Sequence, residues 1–137
     1  MIVFMDSSAL KADYDSKDDN HVAARRLMRQ IAARETQVTS FMTTDYVLDE
    51  AITLTLFAHS HAKAIELAEA TMASKFVRLI YSDAELFAEA MLVFRGHADK
   101  DWSFTDCLSF AAMKRYDVKT AFTFDSHFKQ MGFDTIP

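Results

Sequence analysis

The sequence predicts an α/β fold: a three-layer α/β/α sandwich around a parallel sheet of four to five strands. Three observations carry the prediction. Short apolar runs of strand length alternate along the chain with longer segments of helical periodicity, which is the pattern of strand–helix–strand units. Only Gly96, Gly132 and Pro137 are available as strong breakers, so long linkers are not expected and helices should dominate. Two of the apolar runs, IVFM and TAFTF, stop on the same Asp-Ser pair, as strands running the same way and ending at one sheet edge would.

Element by element, residues 2–6 read as a buried strand and Ser7 opens a short helical turn. Residues 18–35 read as a helix, with Val22, Leu27 and Ile31 forming an apolar stripe beside the basic Arg25 and Arg26. A strand is expected near 38–42. Helices over 44–58 and 60–74 follow with no strand between them, so they are expected to form a hairpin beside the sheet. FVRLIY at 76–81 is the next strand. Ser82-Asp83-Ala84-Glu85 has capping-box spacing and opens a helix to about 95. Residues 97–102 form a polar loop, and Ser103-Phe104-Thr105-Asp106 starts a helix running to about Tyr116. The strand 119–124, a short helix from Ser126 and a last extended piece, FDTI, complete the chain. Parallel strands so connected require crossovers, which are right-handed almost without exception.

The 137 residues suit one domain spanning residues 1–137, with half of them apolar and a quarter charged. Fifteen basic against twenty acidic residues give a net charge of -5, so no global basic field announces a nucleic-acid ligand. That argument weakens if some acids hold divalent cations, because the surface a phosphate meets is then less negative. One cysteine excludes a disulfide framework, and no Cys/His cluster has zinc-finger spacing. With no signal-peptide pattern and no membrane span expected, the compartment is read as cytoplasmic. Neither GxGxxG nor GxxxxGK[ST] occurs, which counts against nucleotide-dependent enzymes.

Four acids stand out. Asp6 and Asp125 end two strands, and in open parallel sheets ligands bind beyond the carboxyl ends of the strands. Glu50, in TTDYVLDEAITLTLF, shares a helix face with Tyr46, Val47, Leu54 and Phe57, so it should lie on or beside the buried side, whereas Asp49 turns toward Asp45 and water. Asp106 falls in the first turn of its helix on the side of Phe110 and Met113. Two carboxylates 4 Å apart repel by about 4 kcal/mol at an effective dielectric of 20, so such a cluster needs cations or protons. Mg²⁺ or Mn²⁺ suits an oxygen-only donor set, and acids holding such ions form phosphoryl-transfer or nuclease sites.

Ordinary roles compete at each position. Asp6 and Asp125 could cap the helices that follow them, Asp106 could be the acid of a capping box with Ser103, and Glu50 could pair with a buried Arg. His59 and His61, two residues apart, lie on different helix faces and read as solvated or packing. His127 forms no evident triad. Cys107, beside Asp106, reads as a small buried hydrophobe rather than a nucleophile. Trp102 could stack on a base or cover the core.

Taken together, MDSSAL, the acid in VLDEAITL, SFTDCLSFAAM and TAFTFDSHF, in that order and over nearly the whole chain, resemble a PIN domain of the VapC toxin type. The resemblance implies a Rossmann-like fold and a metal-dependent endoribonuclease leaving 5′-phosphate and 3′-hydroxyl ends. It further implies a homodimer held in check by a cognate antitoxin. Asp6 and Asp106 would be the principal Mg²⁺ or Mn²⁺ ligands, Glu50 and Asp125 would complete the quartet, and Ser7 and Thr123 would support them. Asp101 resembles an additional acid of one subgroup. Lys11 and the Arg25/Arg26 pair are candidates to hold the RNA backbone. A phosphoacceptor receiver-like domain and a non-catalytic RNA-binding module are the alternatives; the first needs a lysine where this chain carries Asp125.

Overall fold

A computed structural model describes residues 1–137. Five strands, β1 (Ile2–Met5), β2 (Ser40–Thr44), β3 (Val77–Ile80), β4 (Thr120–Phe122) and β5 (Asp134–Ile136), form one sheet in the order β3-β2-β1-β4-β5. Every neighbouring pair is parallel. The helices are α1 (Ser7–Tyr14), α2 (His21–Ala32), α3 (Asp45–Ala58), α4 (His61–Ala73), α5 (Ala84–Gly96), α6 (Phe104–Arg115) and α7 (His127–Met131). The α/β class and the parallel five-stranded sheet are those expected from the sequence.

The strand order decides where a site can form. From β1 the chain builds outward to β2 and β3 on one side and, later, to β4 and β5 on the other. The loops leaving β1 and β4 therefore part in opposite directions and open a crevice at their carboxyl ends. A receiver-like domain has the order 2-1-3-4-5; the order here excludes that alternative.

Local chemistry sets the helix starts. Thr44 caps α3 by accepting the Val47 N–H at 3.1 Å, and Ser60 caps α4 by accepting that of Lys63 at 3.1 Å. The α3–α4 hairpin is thus joined through a capped two-residue corner, as expected. Ser82 does not open α5: Asp83 is its cap, accepting the Leu86 N–H at 2.7 Å, and the buried Ser82 hydroxyl has no partner. Strand β2 runs two residues later than expected, because Thr43 and Thr44 are buried despite their polarity. The Thr43 hydroxyl donates to the Met5 carbonyl at 2.8 Å, which removes the cost of that burial.

The core near the carboxyl ends of β1 and β4 is aromatic. Phe128, fully buried, packs on Phe4 at 6.0 Å and on Phe110 at 5.1 Å between ring centroids, and Phe110 in turn meets Trp102 at 5.0 Å. Trp102 is buried and donates its indole N–H to Gln130. It covers the core, so it is not available to stack on a base.

Candidate functional site

Asp6 follows β1 directly. Its backbone N–H donates to the Phe122 carbonyl at 3.0 Å, which continues the β1–β4 ladder and fixes the side chain at the crevice. Although Asp6 occupies the cap position of α1, its carboxylate caps nothing. Instead Oδ2 accepts hydroxyls from Ser8 and Thr123, both at 2.8 Å, and the side chain is 1% exposed. The capping reading of Asp6 therefore fails and the carboxylate is free for another task.

Ser7 links Asp6 to Glu50. Its hydroxyl donates to Glu50 Oε1 and lies 3.5 Å from Asp6 Oδ1. Glu50 is half-buried, but not for the reason the helical wheel suggested. The buried face of α3 is Val47, Leu48, Ala51 and Thr55, whereas Leu54 is 44% and Phe57 83% exposed. Glu50 lies at the margin of that face and is held by Ser7, not by an arginine. Asp49 is exposed, as expected.

Asp106 has the capping role weighed for it, and a further contact that was not expected. It closes a capping box with Ser103, whose hydroxyl accepts the Asp106 N–H at 3.0 Å while Asp106 Oδ2 accepts the Ser103 N–H at 3.1 Å. The same Oδ2 lies 2.8 Å from Nδ1 of His127. Asp125 Oδ1 accepts the His127 backbone N–H at 2.9 Å and lies 3.9 Å from its Nδ1. One ligand atom each from Asp106, Asp125 and His127 falls within 4.8 Å of the others. His127 was not expected here: its partner Asp106 is 21 residues away in sequence, and only the fold brings α6 against α7.

The electrostatics are those of an uncompensated acid cluster. Burial, then the Asp125 charge, raises the pKa of Asp6 despite its hydrogen bonds from Thr123 and Ser8. Burial, then the Asp6 charge, raises Asp106 against the opposing effect of His127. Burial also raises Glu50, with the charges of Asp6, Asp106 and Asp49 acting against the Ser7 bond. No Lys or Arg pairs with any of the four; the lysine and arginine salt bridges of the chain run between other residues. Carboxylate oxygens without lysine or arginine partners, with burial opposing ionisation at Asp6, Glu50 and Asp106, fit a hard divalent cation.

Among the supporting residues, Ser7 and Thr123 touch the acids while Asp101 is exposed on the loop before Trp102. Lys11 does not face a ligand: its ammonium pairs with Asp15 at 3.0 Å and Asp18 at 2.7 Å. Arg25 likewise pairs with Asp13 at 2.7 Å, leaving Arg26 exposed and without an ion pair. Cys107 is buried with its thiol pushed up to about 11, so it is no nucleophile at neutral pH. A cavity of about 560 Å³ lies elsewhere, among residues such as Leu10, Met28, Ile31, Phe41 and Val77, and is lined by none of the four acids.

Residues 3–134 match the family described as PIN domain. The chain is 32% identical over 132 residues to the 23S rRNA-specific endonuclease VapC20 of Mycobacterium tuberculosis, covering 96% of this chain and 95% of that protein. It is 27% identical over 129 residues to a VapC ribonuclease of Archaeoglobus fulgidus, covering 93% and 80%. The crystal structure of M. tuberculosis VapC20, described as a sarcin-ricin loop cleaving toxin, superposes with a TM-score of 0.87 at 30% identity, covering 97% of this chain and 96% of that one. FitAcB from Neisseria gonorrhoeae superposes with a TM-score of 0.63 at 16% identity over 100% and 97% of the two chains, a likeness of fold alone.

Proposed function

This chain belongs to the PIN domain family, and from that premise we propose that it is a metal-dependent endoribonuclease, the toxin of a toxin–antitoxin pair. In this reading residues 1–137 are one PIN-like domain whose Asp6, Glu50, Asp106 and Asp125 hold Mg²⁺ or Mn²⁺. The observation that carries it is the convergence of two buried and two half-buried carboxylates, none paired with lysine or arginine, at the crevice between β1 and β4.

A bound divalent ion would supply positive charge against the scissile phosphate and make a nearby water more acidic. The chain's own contribution is to hold the acids ready. Ser8 and Thr123 fix Asp6, Ser7 ties Glu50 to the same corner, and the Ser103 cap fixes Asp106. Burial keeps bulk water from screening these groups, so their effect on a bound ion is larger than at an open surface.

The VapC20 relative is named for 23S rRNA and described as cleaving the sarcin-ricin loop. At 32% identity over nearly all of both chains, a structured ribosomal RNA loop is the substrate class to test first. A cognate antitoxin and a homodimer are part of the proposal. Large apolar residues left exposed on α3 and α5, among them Phe57, Phe87, Leu92 and Phe94, support such partners. The chain has no helix long and apolar enough to cross a membrane, in keeping with the cytoplasmic compartment proposed for it.

The test incubates the purified protein, and its Asp6→Asn and Asp106→Asn variants, with 23S rRNA fragments and a mixed RNA pool, with and without chelator. Cutting by the unsubstituted protein alone, abolished by chelator, is the expected result. Binding of RNA without turnover in the presence of Mg²⁺ or Mn²⁺ would instead establish the non-catalytic alternative.

A further inference from the structure

We propose that His127 is a positioning residue of the acid cluster: its ring holds Asp106 and its backbone N–H holds Asp125, and together they set which carboxylate oxygens face a bound divalent ion. The inference rests on the reading that the four acids hold that ion.

The hydrogen bonds divide each carboxylate into an occupied oxygen and a free one. Oδ2 of Asp106 receives the Ser103 N–H and the His127 ring, at 3.1 and 2.8 Å, and Oδ1 receives nothing. Oδ1 of Asp125 receives the His127 N–H at 2.9 Å, and Oδ2 receives nothing. Oδ2 of Asp6 takes two hydroxyls, leaving Oδ1 with only the 3.5 Å approach of Ser7. Three acids thus each keep one oxygen free of a full hydrogen bond, and His127 holds the other oxygen of two of them.

An ionised carboxylate only accepts hydrogen bonds, so Nδ1 of His127 carries the proton it shares with Asp106 and cannot bind a metal while that bond stands. A histidine ring donating to a ligating carboxylate fixes the orientation of that carboxylate. One oxygen per acid also suits Mg²⁺ or Mn²⁺ better than Ca²⁺, because the smaller ions keep several waters and tolerate little departure from octahedral geometry. The ring is 29% exposed, so it is not a core-packing residue. Its place is fixed instead by the next residue, the fully buried Phe128.

The experiment is an electron paramagnetic resonance titration of the purified protein with Mn²⁺, run on the unsubstituted chain, His127→Ala, His127→Asn and Asp106→Asn. His127→Ala is expected to weaken Mn²⁺ binding by about 10- to 100-fold. His127→Asn, whose amide N–H can replace the Nδ1 donor, should recover most of the loss. The pulsed spectrum of the unsubstituted complex should show no coupling to an imidazole nitrogen, and thermal melting of His127→Ala should stay close to that of the parent. Unchanged Mn²⁺ affinity in His127→Ala, an imidazole coupling in the parent, or loss of folding in the variant would each overturn the proposal. If Asp106→Asn binds Mn²⁺ as the parent does, the metal site itself is wrong; if it does not and His127→Ala does, only the role of His127 is.

Discussion

The hydroxyl of Thr123 donates to Oδ2 of Asp6 at 2.8 Å, joining the residue after β4 to the residue after β1 across 117 positions of sequence. The Thr123 hydroxyl oxygen in turn accepts the Asp125 N–H at 3.2 Å and lies 3.2 Å from the hydroxyl of Ser8. Thr123→Val keeps the shape and removes all three contacts. Leaving buried polar groups without partners costs about 1–3 kcal/mol, and loosening a ligand's support costs about 10-fold or more in metal affinity. Urea unfolding and Mn²⁺ titration should show both losses, and Thr123→Ser should restore both. Parent-like Mn²⁺ affinity in the valine variant would mean that this hydroxyl does not orient Asp6.

The raised pKa values of Asp6, Glu50 and Asp106 fix the sign of a pH effect. Each group ionises less readily folded than unfolded, so just above the ordinary carboxylate range the folded chain binds more protons than the unfolded one. Stability of the metal-free protein therefore falls as pH rises through that window. Below it the trend reverses. Burial of Asp15 opposes ionisation, but bonds from Lys11 and the Lys17 N–H outweigh it and hold its pKa low, so its stabilisation is lost on acidification. Calorimetry of the chelated protein should find a higher melting temperature just above the ordinary carboxylate range than at neutral pH. Saturating Mg²⁺ or Mn²⁺ should raise melting most at the higher pH, because only ionised acids bind it. A metal-free protein most stable at the higher pH would contradict the cluster.

What the sequence could say about this site follows from how local each interaction is. Asp6 and Asp125 were visible because a strand that ends on an acid is a feature of adjacent residues, and the parallel sheet brings such ends together. Asp106 was visible for two reasons at once, its cap spacing and its place in the chain; it fills the capping role and stands beside Asp125 and His127. Glu50 was found by a face argument that the structure revises, since Leu54 and Phe57 are apolar yet uncovered. Hydropathy cannot tell a core face from one awaiting a partner. His127 and the neutralised Lys11 were illegible because their roles depend on contacts that only the folded chain makes.

Cys107 sits beside a cluster acid yet has no chemical role in this scheme. Its side chain is buried, and burial, followed by the Asp106 charge, raises the thiol to about 11. The native protein should resist iodoacetamide at neutral pH and react only after denaturation. Cys107→Ala should cost about 1 kcal/mol of stability and leave RNA cleavage intact. Rapid alkylation of the folded chain with loss of activity would return the nucleophile reading.

Phe128 supplies the last test, because it separates the anchoring of α7 from the chemistry that α7 carries. The helix is five residues long and buries only Phe128, which is wedged between Phe4 on β1 and Phe110 on α6. A helix this short is held by packing and not by its own hydrogen bonds. Phe128→Ala should cost about 3–5 kcal/mol, as large-to-small changes of a buried aromatic do. It should also release His127 and the loop bearing Asp125, weakening Mn²⁺ binding even at temperatures where the variant is folded. Phe128→Leu fills most of the space and should keep both properties near those of the parent. If the alanine variant is destabilised yet binds Mn²⁺ with parent affinity while folded, the packing of α7 is not what fixes the acids, and their geometry must come from β1 and α6 alone.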